Sequence, residues 1–187
     1  MRFLFVVLAF SLFQLSHAQE KNVLGKPLTV EGPLIHDYGK TFMIKEADLD
    51  IKTRTDLVFK PVFDIAKAPE DPAEVNVYFN TVARFLNMHA IHRVPLKNLQ
   101  PAMVVHGSAA FGLLTNEAYK EKFGVDNPNL PLLDKLHSSG VLIIMCSQTA
   151  GAREIYKEMR WEHTKMALSA MTALIQLQEG GYKLISF

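Results

Sequence analysis

The chain has 187 residues, with 20 basic and 19 acidic side chains, a net charge of +1 and a single cysteine. So even a charge balance excludes electrostatic capture of nucleic acid or of an anionic membrane surface. One cysteine excludes an internal disulfide, and the length suits one domain held by a real hydrophobic core.

Residues 1–18 read as a secretory signal peptide. Met1-Arg2 supplies a short positive start, Phe3 to Phe13 is apolar except for Ser11, and Ser16-His17-Ala18 presents small residues for cleavage after Ala18. The run is too short to span a bilayer as a stable helix. The expected destination is the periplasm or the outside. Residues 19–55 are polar, with turn signals at Gly25, Pro27, Gly32-Pro33 and Gly39, and read as an irregular arm leaning on a domain that occupies residues 56–187.

Within that domain Leu57-Val58-Phe59 and Val62-Phe63-Asp64-Ile65 form an extended apolar segment in which Pro61 predicts an edge strand or a bulge. Asp71-Pro72-Ala73-Glu74 has the residues of a helix start, and Val75, Tyr78, Phe79, Val82, Phe85 and Leu86 follow at helical spacing. Ala102–Val105 reads as a short strand ending in His106-Gly107-Ser108. Helical material is expected over 109–122, then a turn from Gly124 to Pro128, and a helix capped by Asn129 that carries Leu132, Leu133 and Leu136. Residues 141–145 form a strand ending at Cys146, and a helix is expected from about Thr149 to Met159. Lys165 to Leu168 reads as another strand, Ser169 caps the next helix, Gly180-Gly181 ends it, and Tyr182 to Phe187 forms a last strand.

Short apolar strands alternating with helices predict an α/β fold: three layers, a mostly parallel five-stranded sheet, and helices on both faces. Ligands of such sheets bind beyond the carboxyl ends of the strands. Three polar strand ends then share one edge: His106-Gly107-Ser108, Cys146-Ser147-Gln148 and Ser169.

These residues carry a family resemblance. The segments Val104 to Ala109, Asn127-Pro128-Asn129, Gly140 to Gln148, Ala167 to Ala173, then Gln178 and Gly181-Tyr182 resemble the DsrE/DsrF-like family, in particular an exported branch of it. The likeness runs over roughly residues 31–187. It implies a compact α/β fold that assembles into homo- or hetero-oligomers, often trimers or hexamers, and relatives that move sulfur as a cysteine persulfide. Cys146 matches the sulfur-bearing position, and His106 matches a histidine of the exported branch. Ser147 stands where the resemblance leads one to expect glycine.

Two readings of Cys146 follow. In one it is a nucleophilic thiolate, favoured at a helix amino terminus, that accepts and donates sulfane sulfur. With no second cysteine, the sulfur passes to a partner protein or a small thiol. In the other, Cys146 is a buried small hydrophobe in a non-catalytic oligomeric binding module whose ligand occupies the strand-end crevice. His106 serves either to keep the thiol ionised or simply to bond loop backbone. Ser108, Ser147, Gln148 and Ser169 are candidate ligand contacts, with Ser169 most simply a helix cap. His89 and His92 have a spacing that can hold a metal, but no further ligand completes a set, so neither a metal nor any other cofactor is expected.

Overall fold

The computed structural model describes residues 28–187, so the expected signal peptide and the first part of the arm lie outside the described residues. The strands are β1 (Thr29–Val30), β2 (Thr41–Phe42), β3 (Pro61–Ile65), β4 (Ala102–Val105), β5 (Leu142–Cys146), β6 (Lys165–Ala167) and β7 (Lys183–Ile185). The helices are α1 (Val77–Ile91), α2 (Asn116–Phe123), α3 (Leu130–Ser138), α4 (Ser147–Ala152) and α5 (Ala170–Glu179).

Strands β3 to β7 make one five-stranded sheet in the order β6-β5-β4-β3-β7, and every neighbouring pair is parallel. The two-residue period of a strand sorts its side chains between two cores. Phe63, Ile65, Met103, Val105, Ile143 and Met145 face α1, α2 and α3 in the larger core. Val62, Ala102, Val104, Ile144 and Cys146 face the other way, where α5 supplies Ala170 and Ala173. This is the expected α/β architecture, with the sheet between unequal helical layers.

Several local expectations are corrected. β3 lies between β4 and β7, not at an edge and not in a bulge; Pro61 is tolerated because it is the first residue of the strand, where no ladder amide is required. Leu57 and Val58 are exposed and lie outside the strand. Asp71 does not start α1. Its carboxylate accepts the Ala73 amide in a turn, and the true cap is Asn76, whose side chain accepts the Tyr78 amide at 2.9 Å. The span 109–122 is two pieces, a 3-10 stretch over Gly107–Leu113 and then α2, capped by Thr115. Asn129 precedes α3 but does not cap it with its side chain. Its Oδ1 accepts the buried Asn76 amide at 2.8 Å instead, tying the starts of α1 and α3 together. The helix expected over 149–159 ends at Ala152, because Glu154 takes a left-handed φ of 55° and the Ile155 amide turns back to the Ala150 carbonyl.

The described part of the arm, residues 28–55, is more than a loose cover. β1 and β2 pair as a short antiparallel ribbon, and Ile35 is buried in the larger core. Asn87, buried in α1, accepts the amides of Leu34 and Ile35 and donates to the carbonyls of Ile35, Tyr38 and Gly39. Gly39 has a φ of 63° and lies so close to the backbone of Ala83 and Arg84 that a side chain would collide with it.

Candidate functional site

Cys146 closes β5 and immediately precedes α4, so one residue serves both as the strand end and as the helix cap. The side chain is 4 % exposed. Its Sγ accepts the Thr149 amide at 3.4 Å, the geometry a serine oxygen would adopt as an N-cap. Burial by itself pushes the thiol pKa up. The Thr149 hydroxyl and amide, together with the Ala170 and Gln148 amides, outweigh that effect and hold it below the ordinary thiol value. Each of these donors stabilises the thiolate more than the thiol.

The donors come from two directions because of how the strands end. Thr149 and Gln148 belong to the first turn of α4. Ala170 opens α5, whose start is fixed by Ser169: its Oγ accepts the Thr172 amide at 3.0 Å, and β6 pairs beside β5 with Ala167 opposite Cys146. Gln148 donates to the Leu168 carbonyl at 3.3 Å and bridges the same two strand ends. Ser147 is the first residue of α4, half-buried beside the thiol in sequence, and makes no side-chain hydrogen bond among the described residues. Two large apolar side chains nearby in the chain are exposed, Leu168 at 69 % and Met171 at 73 %.

His106 directly follows β4, and its Nε2 bonds the Asp64 carboxylate at 2.9 Å. That partner is neither loop backbone nor the thiol. An ionised carboxylate can only accept, so Nε2 carries the proton. Ser108 belongs elsewhere. Its Oγ accepts the Ala68 amide at 2.9 Å, and it lines a cavity of about 320 Å³ with Phe111, Tyr119 and Phe123 that Cys146 does not reach. The expected single crevice therefore separates into a strand-end cluster of Cys146, Gln148 and Ser169, and a cavity lined by Ser108.

Sequence reasoning missed Thr149 and Asp64. Thr149 stands three residues after Cys146, the spacing of a capping pair, which was a usable signal. Asp64 was the one charge inside an otherwise apolar strand. Among the described residues no group of three or more His, Cys, Asp or Glu comes together as a metal site. His89 bonds the Phe85 carbonyl and is pushed below its usual pKa by burial, while His92 pairs with Glu46 at 2.8 Å.

Comparison with known proteins agrees with this architecture. The model of the DsrE/DsrF-like family matches residues 60–187. No curated protein matches the chain. Among solved structures, the protein of unknown function MTH1491 from Methanobacterium thermoautotrophicum is similar over 69 % of this chain and 99 % of its own, at 17 % identity and a TM-score of 0.52. The ychN protein from E. coli is similar over the same shares, at 18 % identity and a TM-score of 0.50. At such identities the likeness is one of fold.

Proposed function

The chain belongs to the DsrE/DsrF-like family, whose members are generally sulfur-relay proteins, and from that premise we propose that it carries sulfane sulfur as a persulfide on Cys146. The observation that supports this reading most directly is the set of donors around Sγ, which lowers the pKa of a buried thiol that burial alone would raise. Attack on a sulfane donor needs the thiolate, and the same donors serve the anionic persulfide that results. The thiolate takes the outer sulfur of a donor persulfide, and the donor's sulfur–sulfur bond breaks to release its thiol. No net oxidation or reduction occurs. With one cysteine in the chain, onward transfer goes to a partner protein or a small thiol.

The reading extends to location and assembly. Residues 1–18 direct export to the periplasm or beyond, with cleavage after Ala18. The chain forms a homo-oligomer, a trimer or hexamer on the family resemblance. The supporting feature is the run of exposed apolar side chains on α5 and the adjoining strand end, Leu168, Met171 and Ile175.

One observation favours a second reading. Cys146 is nearly sealed and packs with Val104 and Ala170, as a structural cysteine in a non-catalytic binding module would. Mass spectrometry of native protein after a polysulfide pulse separates the two. Mass added in steps of one sulfur, lost in Cys146→Ser, is the expected result. Absence of added mass, together with protection from a charged alkylating reagent until unfolding, overturns the carrier reading in favour of the second.

A further inference from the structure

Asp64 and His106 take no part in the thiol's own hydrogen bonds, yet the sheet brings them to the same place. Val62, Val104, Ile144 and Cys146 all lie in the core beneath α5. Asp64 is two residues beyond Val62 and His106 two beyond Val104, with the His106 backbone still extended at φ −148°, so the strand period sends both side chains to that same face. Their hydrogen bond shows that the two side chains meet. β4 and β5 run in register through Val105 and Met145, and His106 and Cys146 are the residues that directly follow that last pair. The two chain ends are tied beyond that point, because the Gly107 amide donates to Thr149 Oγ1 at 3.3 Å and Thr149 in turn donates to Sγ.

Packing gives little reason for the pair. Both side chains are about a third exposed, and an ion pair so open to solvent contributes little to stability. The arrangement does match a proton-transfer device. Asp64 binds Nε2 and fixes the ring, while Nδ1 has no hydrogen-bond partner among the described residues.

Resting on the persulfide role of Cys146, we propose that His106 is the proton donor and acceptor for sulfur transfer at that thiol, and that Asp64 is its positioning residue. The Cys146 thiolate attacks the outer sulfur of a protonated alkyl persulfide. A new sulfur–sulfur bond forms on Sγ, the donor's own bond breaks, and its inner sulfur leaves as an alkyl thiolate. Protonated His106 gives that leaving thiolate its proton. The neutral imidazole then takes the proton from the new Cys146 persulfide, leaving it anionic and the imidazole protonated again. One sulfur moves, and protons and electrons balance without a co-reactant. Protonation favours the step because an alkyl thiol has a pKa of about 8.5, and a leaving thiol of higher pKa departs more slowly.

The experiment compares two reagents on the native full chain. Glutathione persulfide expels an alkyl thiolate that needs a proton, whereas an aromatic nitrobenzoate disulfide expels a stable thiolate that does not. His106→Gln is expected to slow loading from the persulfide by about a hundredfold, the usual size of a lost general acid. Its reaction with the aromatic disulfide should stay within about twofold of the wild type, since that step lacks the general-acid requirement. Asp64→Asn should show the same split, and Asp64→Glu should restore part of the loading. If His106→Gln does not fold, the split in Asp64→Asn decides the matter. Unchanged persulfide loading, or equal loss with both reagents, overturns the role. Wild-type protein that reacts with the aromatic disulfide but takes up no sulfane sulfur overturns the carrier reading itself, a distinct failure.

Discussion

Thr149 accepts the Gly107 amide on its hydroxyl oxygen and donates its own backbone amide to Cys146 Sγ, so the ends of β4 and β5 are joined through one residue. Because the same hydroxyl lowers the thiol pKa, its removal has a signed consequence. In Thr149→Val the thiol pKa rises. Alkylation of native protein by iodoacetamide should slow at pH values below the thiol pKa and converge with the wild type at alkaline pH. Equal rates across the whole profile would mean that the hydroxyl does not stabilise the thiolate.

The lowered thiol pKa also makes stability depend on pH. Between the native pKa and the higher unfolded one, the unfolded chain binds more protons, so stability rises with pH through that interval. The contribution is complete above the unfolded value of about 8.5 and is lost as pH falls through the native pKa. Urea midpoints of wild type and Cys146→Ser should therefore diverge as pH rises through that interval, with the wild type gaining. A constant difference would contradict the shift.

Asn87 holds the arm by bonds to five backbone groups. Replacement by Ala leaves buried amides and carbonyls without partners, at about 1–3 kcal/mol for each such group. Asn87→Ala should lose on the order of 3 kcal/mol in denaturant unfolding, with protease cleavage appearing first within residues 31–43. Gly39→Ala attacks the same joint from the arm side and should produce the same cleavage pattern, since its left-handed backbone and its contact with α1 both resist a side chain.

Ser169 caps α5 and so also sets where the Ala170 amide points. Ser169→Ala should cost about 1 kcal/mol of stability, the usual value of an N-cap. It should also reduce Cys146 reactivity near neutral pH. A loss of stability without a change in thiol reactivity would confine Ser169 to capping.

Met171 is exposed on α5, one residue beyond Ala170, whose amide serves the thiol. If the proposed homo-oligomer is held by this face, Met171→Glu should lower the sedimentation coefficient to that of a single chain, while the circular dichroism stays that of the wild type. An unchanged assembly would place the contact elsewhere.

Alternation of apolar strands with helices carried the sheet, its direction and the position of Cys146, because each of those depends on local pattern. What escaped depends on distant partners. Asp71-Pro72-Ala73-Glu74 has every local mark of a helix start, yet α1 waits until Asn76, whose amide is held by Asn129 across the fold. Pro61 looked like an edge residue because nothing local says that β7 will pair on its open side. α4 stops early through a left-handed Glu154, a residue type that rarely adopts that conformation. At the site, the thiol and its helix were readable, whereas the Asp64–His106 bond required knowing that β3 and β4 are neighbours.

The pairing of β3 with β7 has a consequence for how the protein is made. β3 is the first strand of the sheet in the chain, but its outer neighbour is the last, nearly the whole domain later. While the polypeptide is being synthesised, β3 keeps an unpaired edge bearing Val62 and Phe63 until residues 183–185 emerge. Native closure is thus a late, long-range event, slow in the manner of other non-local pairings. Until then that edge is open to pairing with other chains, and the nascent protein depends on being shielded from its own copies.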